Sequence, residues 1–91
     1  MGILLKGVTL PNGERYEDSV YISTYDQCVY MFPYPMRRLV INYNIYNSIT
    51  REKLIYGPIT LEIKNPDLNQ PSYKLVYDIL NKMYPGGREV Y

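Results

Sequence analysis

The stretch Arg38-Leu39-Val40-Ile41-Asn42-Tyr43-Asn44-Ile45-Tyr46 decides how the rest of the chain is read. Leu39, Ile41, Tyr43 and Ile45 fall at every second position, with Asn42 and Asn44 between them. Side chains alternate across a strand, so this pattern predicts a strand with one buried face and one face that is wet or paired with a partner. A two-faced strand needs neighbours, and the sequence on both sides supplies them.

On the C-terminal side, 47–53 is polar and reads as a loop, in which Thr50-Arg51-Glu52-Lys53 has the composition of a short helical turn. Tyr56-Gly57-Pro58 reads as a break. Ile59, Leu61 and Ile63 then alternate with Thr60, Glu62 and Lys64 in an amphipathic strand that Asn65-Pro66-Asp67 ends. Pro71 suits the first turn of a helix. Beyond it Val76, Ile79, Leu80 and Met83 keep i, i+3, i+4, i+7 spacing, which predicts one apolar stripe. Tyr73, Tyr77 and Tyr84 flank that stripe, while Lys74, Asp78 and Lys82 lie opposite it. Pro85-Gly86-Gly87 stops the helix, leaving residues 86–91 as an expected mobile tail.

On the N-terminal side, Ile3 to Leu10 is a short apolar run closed by the turn signal Pro11-Asn12-Gly13. Ser19 to Tyr25 alternates Val20, Ile22 and Thr24 with Tyr21, Ser23 and Tyr25, a second strand pattern. Asp26-Gln27 has turn composition. Cys28 to Phe32 reads as a further strand, broken by Pro33 and Pro35. The expected architecture is α+β: a mainly antiparallel sheet of about five strands, with one C-terminal amphipathic helix packed on a face. Residues 1–85 make a single β-rich domain in this reading.

The chain has 91 residues, ten basic and nine acidic. That suffices for one core, and a domain of this size buries a modest share of its surface. With Cys28 the single cysteine and no histidine, neither an internal disulfide nor a structural zinc site can reinforce it, so association is the remaining route to added burial. The balanced charge lacks the basic field expected of a nucleic-acid or membrane-surface binder. No apolar run approaches the roughly 20 residues that span a bilayer, and the start, Met1-Gly2-Ile3-Leu4-Leu5-Lys6, has neither the pattern of a secretory leader nor the Ser or Thr at position six of a myristoylation signal.

Twelve tyrosines stand against one phenylalanine and no tryptophan. A buried hydroxyl needs a partner, so so steady a preference for tyrosine points to half-exposed sheet faces or to a protein-contact surface. Tyr21, Tyr43, Tyr46, Arg37 and Arg38 are the contact candidates on this pattern. The three tyrosines could also stack bases, with Arg37, Arg38 and Lys53 supplying charge. Near-neutral charge and the missing motif of an RNA-recognition domain weigh against it.

Catalytic patterns are lacking. A Ser–His or Cys–His pair is impossible without histidine, and Cys28 lies in an apolar strand pattern that suits a buried, inert thiol. Glu17-Asp18, and Glu62 with Asp67, read as solvated strand ends and turns rather than acid–base pairs. No glycine-rich loop opens a helix to cradle phosphate. The sequence calls for no cofactor, no metal and no catalytic residue.

Three segments resemble the small proteins encoded in the tail modules of phages and prophages of Gram-positive bacteria. Gly2-Ile3-Leu4-Leu5-Lys6-Gly7-Val8-Thr9-Leu10-Pro11-Asn12-Gly13 is similar to that family's opening strand, Lys-Gly and turn. Tyr16-Glu17-Asp18-Ser19-Val20-Tyr21-Ile22 is similar to its acidic pair leading into a strand. Ser72-Tyr73-Lys74-Leu75-Val76-Tyr77-Asp78-Ile79-Leu80 is similar to its closing tyrosine-rich helix. The stretch Tyr30-Met31-Phe32-Pro33-Tyr34-Pro35 departs from the pattern. The resemblance implies a non-enzymatic tail or baseplate component, made in the host cytoplasm, carried in the virion and acting through contacts with itself or other tail proteins. A small phage-encoded regulator that binds a host protein or single-stranded nucleic acid is the alternative.

Overall fold

The computed structural model describes residues 2–30, 37–67 and 69–90, without the side chains of residues 26–30 and 72. Four strands, β1 (Gly2–Thr9), β2 (Arg15–Tyr30), β3 (Arg38–Tyr46) and β4 (Leu54–Lys64), precede a helix, α1 (Ser72–Met83), and a short strand, β5 (Arg88–Val90). They form one antiparallel sheet in the order β4-β3-β2-β1-β5, with the α+β architecture expected.

β3 behaves as its alternation demands. Leu39, Ile41, Tyr43 and Ile45 are buried, and the residues between them are only partly covered. Register carries this face across the sheet: Ile45 lies opposite Ile22, and Ile22 opposite Ile3. On the other side Tyr43, Ile41 and Leu39 lie opposite Ile59, Leu61 and Ile63. The helix lays Val76, Tyr77, Leu80 and Tyr84 on this face, and all four join the core. Each fully buried Val, Leu or Ile contributes roughly 1.5–3 kcal/mol of transfer free energy, so these rows dominate the favourable side of folding.

Several boundaries differ from expectation, each for a local reason. The turn expected at Asp26-Gln27 does not form. β2 runs through it, paired to β3, and absorbs Tyr25 as a register irregularity between Thr24 and Asp26. The expected break at Tyr56-Gly57-Pro58 is also crossed, with a cis Gly57–Pro58 peptide and a register shift around it. β4 is an edge strand, where a residue without an N–H is tolerated. Arg51 has φ 58°, so 50–53 does not begin a helical turn. The 47–53 loop is instead closed by Asn47, whose N–H bonds to the Lys53 carbonyl and whose Oδ1 accepts the Lys53 N–H, both at 3.0 Å. The expected strand end at Met31 and Phe32 and the breaks at Pro33 and Pro35 lie outside the described residues. So does the Cys28 side chain.

Pro71 stands one position before the helix and caps it: its carbonyl accepts the Lys74 N–H at 3.1 Å. The buried stripe is rotated from the expected one. Val76 and Leu80 are enclosed, but Met83 is 42% exposed, while Tyr77 and Tyr84, expected on the flanks, are buried. The two tyrosines can enter the core because their hydroxyls find partners. Tyr77 Oη accepts the Gly2 N–H at 3.2 Å and donates to the Val90 carbonyl at 2.7 Å. Tyr84 Oη lies 2.8 Å from Tyr43 Oη.

The segment expected as a tail is corrected by those same bonds. Arg88–Val90 pairs with Gly2–Leu4, and Asn81 Nδ2 donates to Glu89 Oε1 at 3.2 Å. Gly87 permits the approach, because a Cβ there would collide with Ile3 Cγ2.

Candidate contact surface

The five residues singled out from the sequence do not form one surface. Tyr43 is fully buried, so it cannot serve as a contact residue or a stacking platform. Its ring meets Tyr84 edge to face, with centroids 6.2 Å apart and planes at 78°. Burial, aided by the Tyr84 hydroxyl, pushes its phenol well above the ordinary tyrosine range. Its place on the apolar face of β3 was visible in the alternation. A polar oxygen is accommodated there because the helix returns a second hydroxyl to the same spot.

Tyr21 is corrected too. It projects from the opposite face, yet only 3% of it is exposed. Gly2 leaves room for its ring, since a Cβ there would strike Tyr21 Cε1 and Cζ, and the Arg51 guanidinium carbon sits 5.9 Å from the ring centroid. The 47–53 loop thus brings a cation within reach of the ring. Tyr46 is half-buried, and its hydroxyl accepts from Asn44 Nδ2 at 3.2 Å. Arg37 and Arg38 are exposed at the other end of β3. Arg38 lies 3.6 Å from Glu62, and the Arg37 carbonyl accepts the Asn65 N–H. Arg38 and Tyr46 are the two ends of the nine-residue β3, about 26 Å apart at the usual rise.

The surfaces that are open lie elsewhere. Tyr25, at the β2 irregularity, is 57% exposed, and Ile49, Leu54 and Tyr73 are about half exposed. Strand alternation cannot reveal Tyr25, because an inserted residue changes the phase of the pattern locally. Among the described residues, no strand lies beyond β4, which leaves its outer border without a ladder partner. β5 covers β1 only over Gly2–Leu4. Beyond it, a groove of about 410 Å³ opens between the β1 border and the turn after α1, lined by Leu5, Lys6, Gly7, Val8, Arg15 and Tyr84 among others.

Among the described residues, no group of three or more His, Cys, Asp and Glu side chains is placed to hold a metal ion. No helix among them is long and apolar enough to cross a membrane. No protein-family model matches the chain, and neither a curated protein nor a solved structure matches it.

Proposed function

We propose that this chain is a non-enzymatic structural or assembly component of a phage or prophage tail or baseplate, working through protein–protein contacts. The observation that carries the reading is a sheet that, among the described residues, is open at its borders: the outer side of β4, and β1 beyond Leu4. An open border offers a row of backbone donors and acceptors to another strand, and natural proteins usually blunt such borders unless they use them. The likeness of the opening strand, the acidic pair and the closing helix to small tail-module proteins supplies the biological setting. The virion, reached by way of the host cytoplasm, is the location that follows.

Two measurements test the proposal together. Particles purified from the source phage or induced prophage contain the chain at a fixed ratio to the other tail proteins, read by quantitative mass spectrometry. The purified chain also co-sediments with tail proteins encoded beside it. Absence from particles, with no binding to any of those proteins, overturns the proposal. Capture of a stoichiometric host enzyme instead points to the regulatory alternative.

A further inference from the structure

We infer that β4 of one copy pairs antiparallel with β4 of a second copy, about a two-fold axis at Leu61, so that two sheets become one. This deepens the proposed function by assigning one of the open borders to self-association, leaving the β1 border and its groove for other partners.

The strand's own limits narrow the axis to two positions. Its regular run begins at Ile59, just after the register shift around Gly57–Pro58, and ends at Lys64, where Asn65 turns the chain at φ 51°. Leu61 and Glu62 are the two central residues of that run. A strand pairing with its own copy antiparallel must place one residue, or one pair, on the axis, because the contact is isologous. Centring on Leu61 pairs Ile59 to Ile63 and centring on Glu62 pairs Thr60 to Lys64, five residues of the run in either case, so the side chains decide between them.

The side chains are self-complementary in the register centred on Leu61. Ile59 faces the second copy's Ile63, Leu61 faces its counterpart, and Ile63 faces Ile59, all on the core side of the sheet. These three residues are half-buried, whereas Tyr43, Ile41 and Leu39 opposite them on β3 are fully enclosed. The apolar face therefore thins out at this border, and a second copy would continue it. On the other side Thr60 faces the second copy's Glu62, and Lys64 faces Pro58, so no like charges stand directly opposite. Centring on Glu62 would instead set two carboxylates face to face. Glu62 already has Arg38 of its own chain at 3.6 Å, so it does not act as a bare charge guarding the border. A net charge of +1 opposes association very little.

The test exploits Thr60, an exposed position. Its Oγ1 donates to Asn42 Oδ1 at 2.7 Å, a bond that either charged replacement loses alike. Thr60→Lys puts opposite charges across the interface twice by symmetry, and Thr60→Glu puts like charges there twice. Sedimentation equilibrium of the full chain, over roughly 5–500 μM for a contact at the small end of the interface range, reads the dimer constant. The expected result is a concentration-dependent dimer that Thr60→Lys tightens and Thr60→Glu weakens, each by about two- to thirty-fold. Circular dichroism verifies that both variants keep the fold. Wild type and Thr60→Lys that both stay monomeric throughout overturn the inference. So does a dimer constant that moves the same way in both variants, as a register centred on Thr60 would give. A monomer that still co-sediments with tail proteins overturns self-pairing and leaves the proposed function standing. A dimer absent from particles does the reverse.

Discussion

Replacing Tyr43 by phenylalanine removes one oxygen from the core and keeps the ring, so it isolates the value of the Tyr43–Tyr84 hydroxyl pair. The two oxygens are 2.8 Å apart and both residues are buried. The edge-to-face ring contact survives the change. Deleting either hydroxyl leaves the other buried without that partner, which costs about 1–2 kcal/mol; deleting both removes the orphan as well. Tyr43→Phe and Tyr84→Phe should therefore each lower Tm by roughly 4–16 °C for a domain of this size. The double variant should fall no further than the worse single one. Thermal melts of the four proteins close a double-mutant cycle, and the coupling should have the size of one single-site loss. Losses that add, or single variants as stable as the parent, would refute the view that the pair forms one satisfied unit.

Three further outcomes follow from the same core. Burial raises the phenols of Tyr43, Tyr84 and Tyr77. Their folded values stand above the unfolded one near 10, so their contribution is fully present below about pH 10 and is lost as pH climbs through the folded values. Melting temperature should drop between about pH 10 and pH 11.5, and the Tyr43→Phe/Tyr84→Phe variant should drop less over that interval. Gly87→Ala drives a methyl into Ile3 and should cost about 1–3 kcal/mol by denaturant titration, whereas the same change at Gly13, where an added Cβ meets nothing within 4 Å, leaves a positive-φ strain as its only penalty. Tyr77→Phe removes the bonds to the Gly2 N–H and the Val90 carbonyl. Amides of β1 and β5 should then exchange about ten-fold faster while those of β3 barely change, as expected for local opening; equal acceleration everywhere would contradict a local clamp.

The legible parts of the fold are those where burial follows periodicity. Leu39, Ile41, Tyr43 and Ile45 alternate in sequence and are buried in space, and Val76 and Leu80 keep their helical spacing. Irregularities and long-range polar partners were hidden. Tyr25 and the Gly57–Pro58 shift interrupt the period-two signal inside strands that nonetheless continue, so composition mimics a turn. Tyr77 and Tyr84 displaced Met83 from the stripe because of a backbone N–H 75 residues away and a hydroxyl 41 residues away, which helical spacing cannot see. β5 was missed because three residues, Arg88-Glu89-Val90, are too short for alternation to register. Its position depends on Tyr77, Asn81 and Gly87. Among the contact candidates, the alternation already placed Tyr43 on the buried face of β3, but it put Tyr21 and Tyr25 on the same open face, where Tyr21 is enclosed and Tyr25 is not.

The Tyr77 hydroxyl touches Gly2 and Val90 at once, and those two residues are also register partners. Antiparallel partners lie about 5 Å apart. Any polypeptide joined before residue 2 and after residue 90 would thus enter and leave at a single spot. In engineering terms the fold is a cassette. It can be spliced into a surface loop of another protein, or circularised by a short linker and reopened in the 47–53 loop, without forcing its two ends apart.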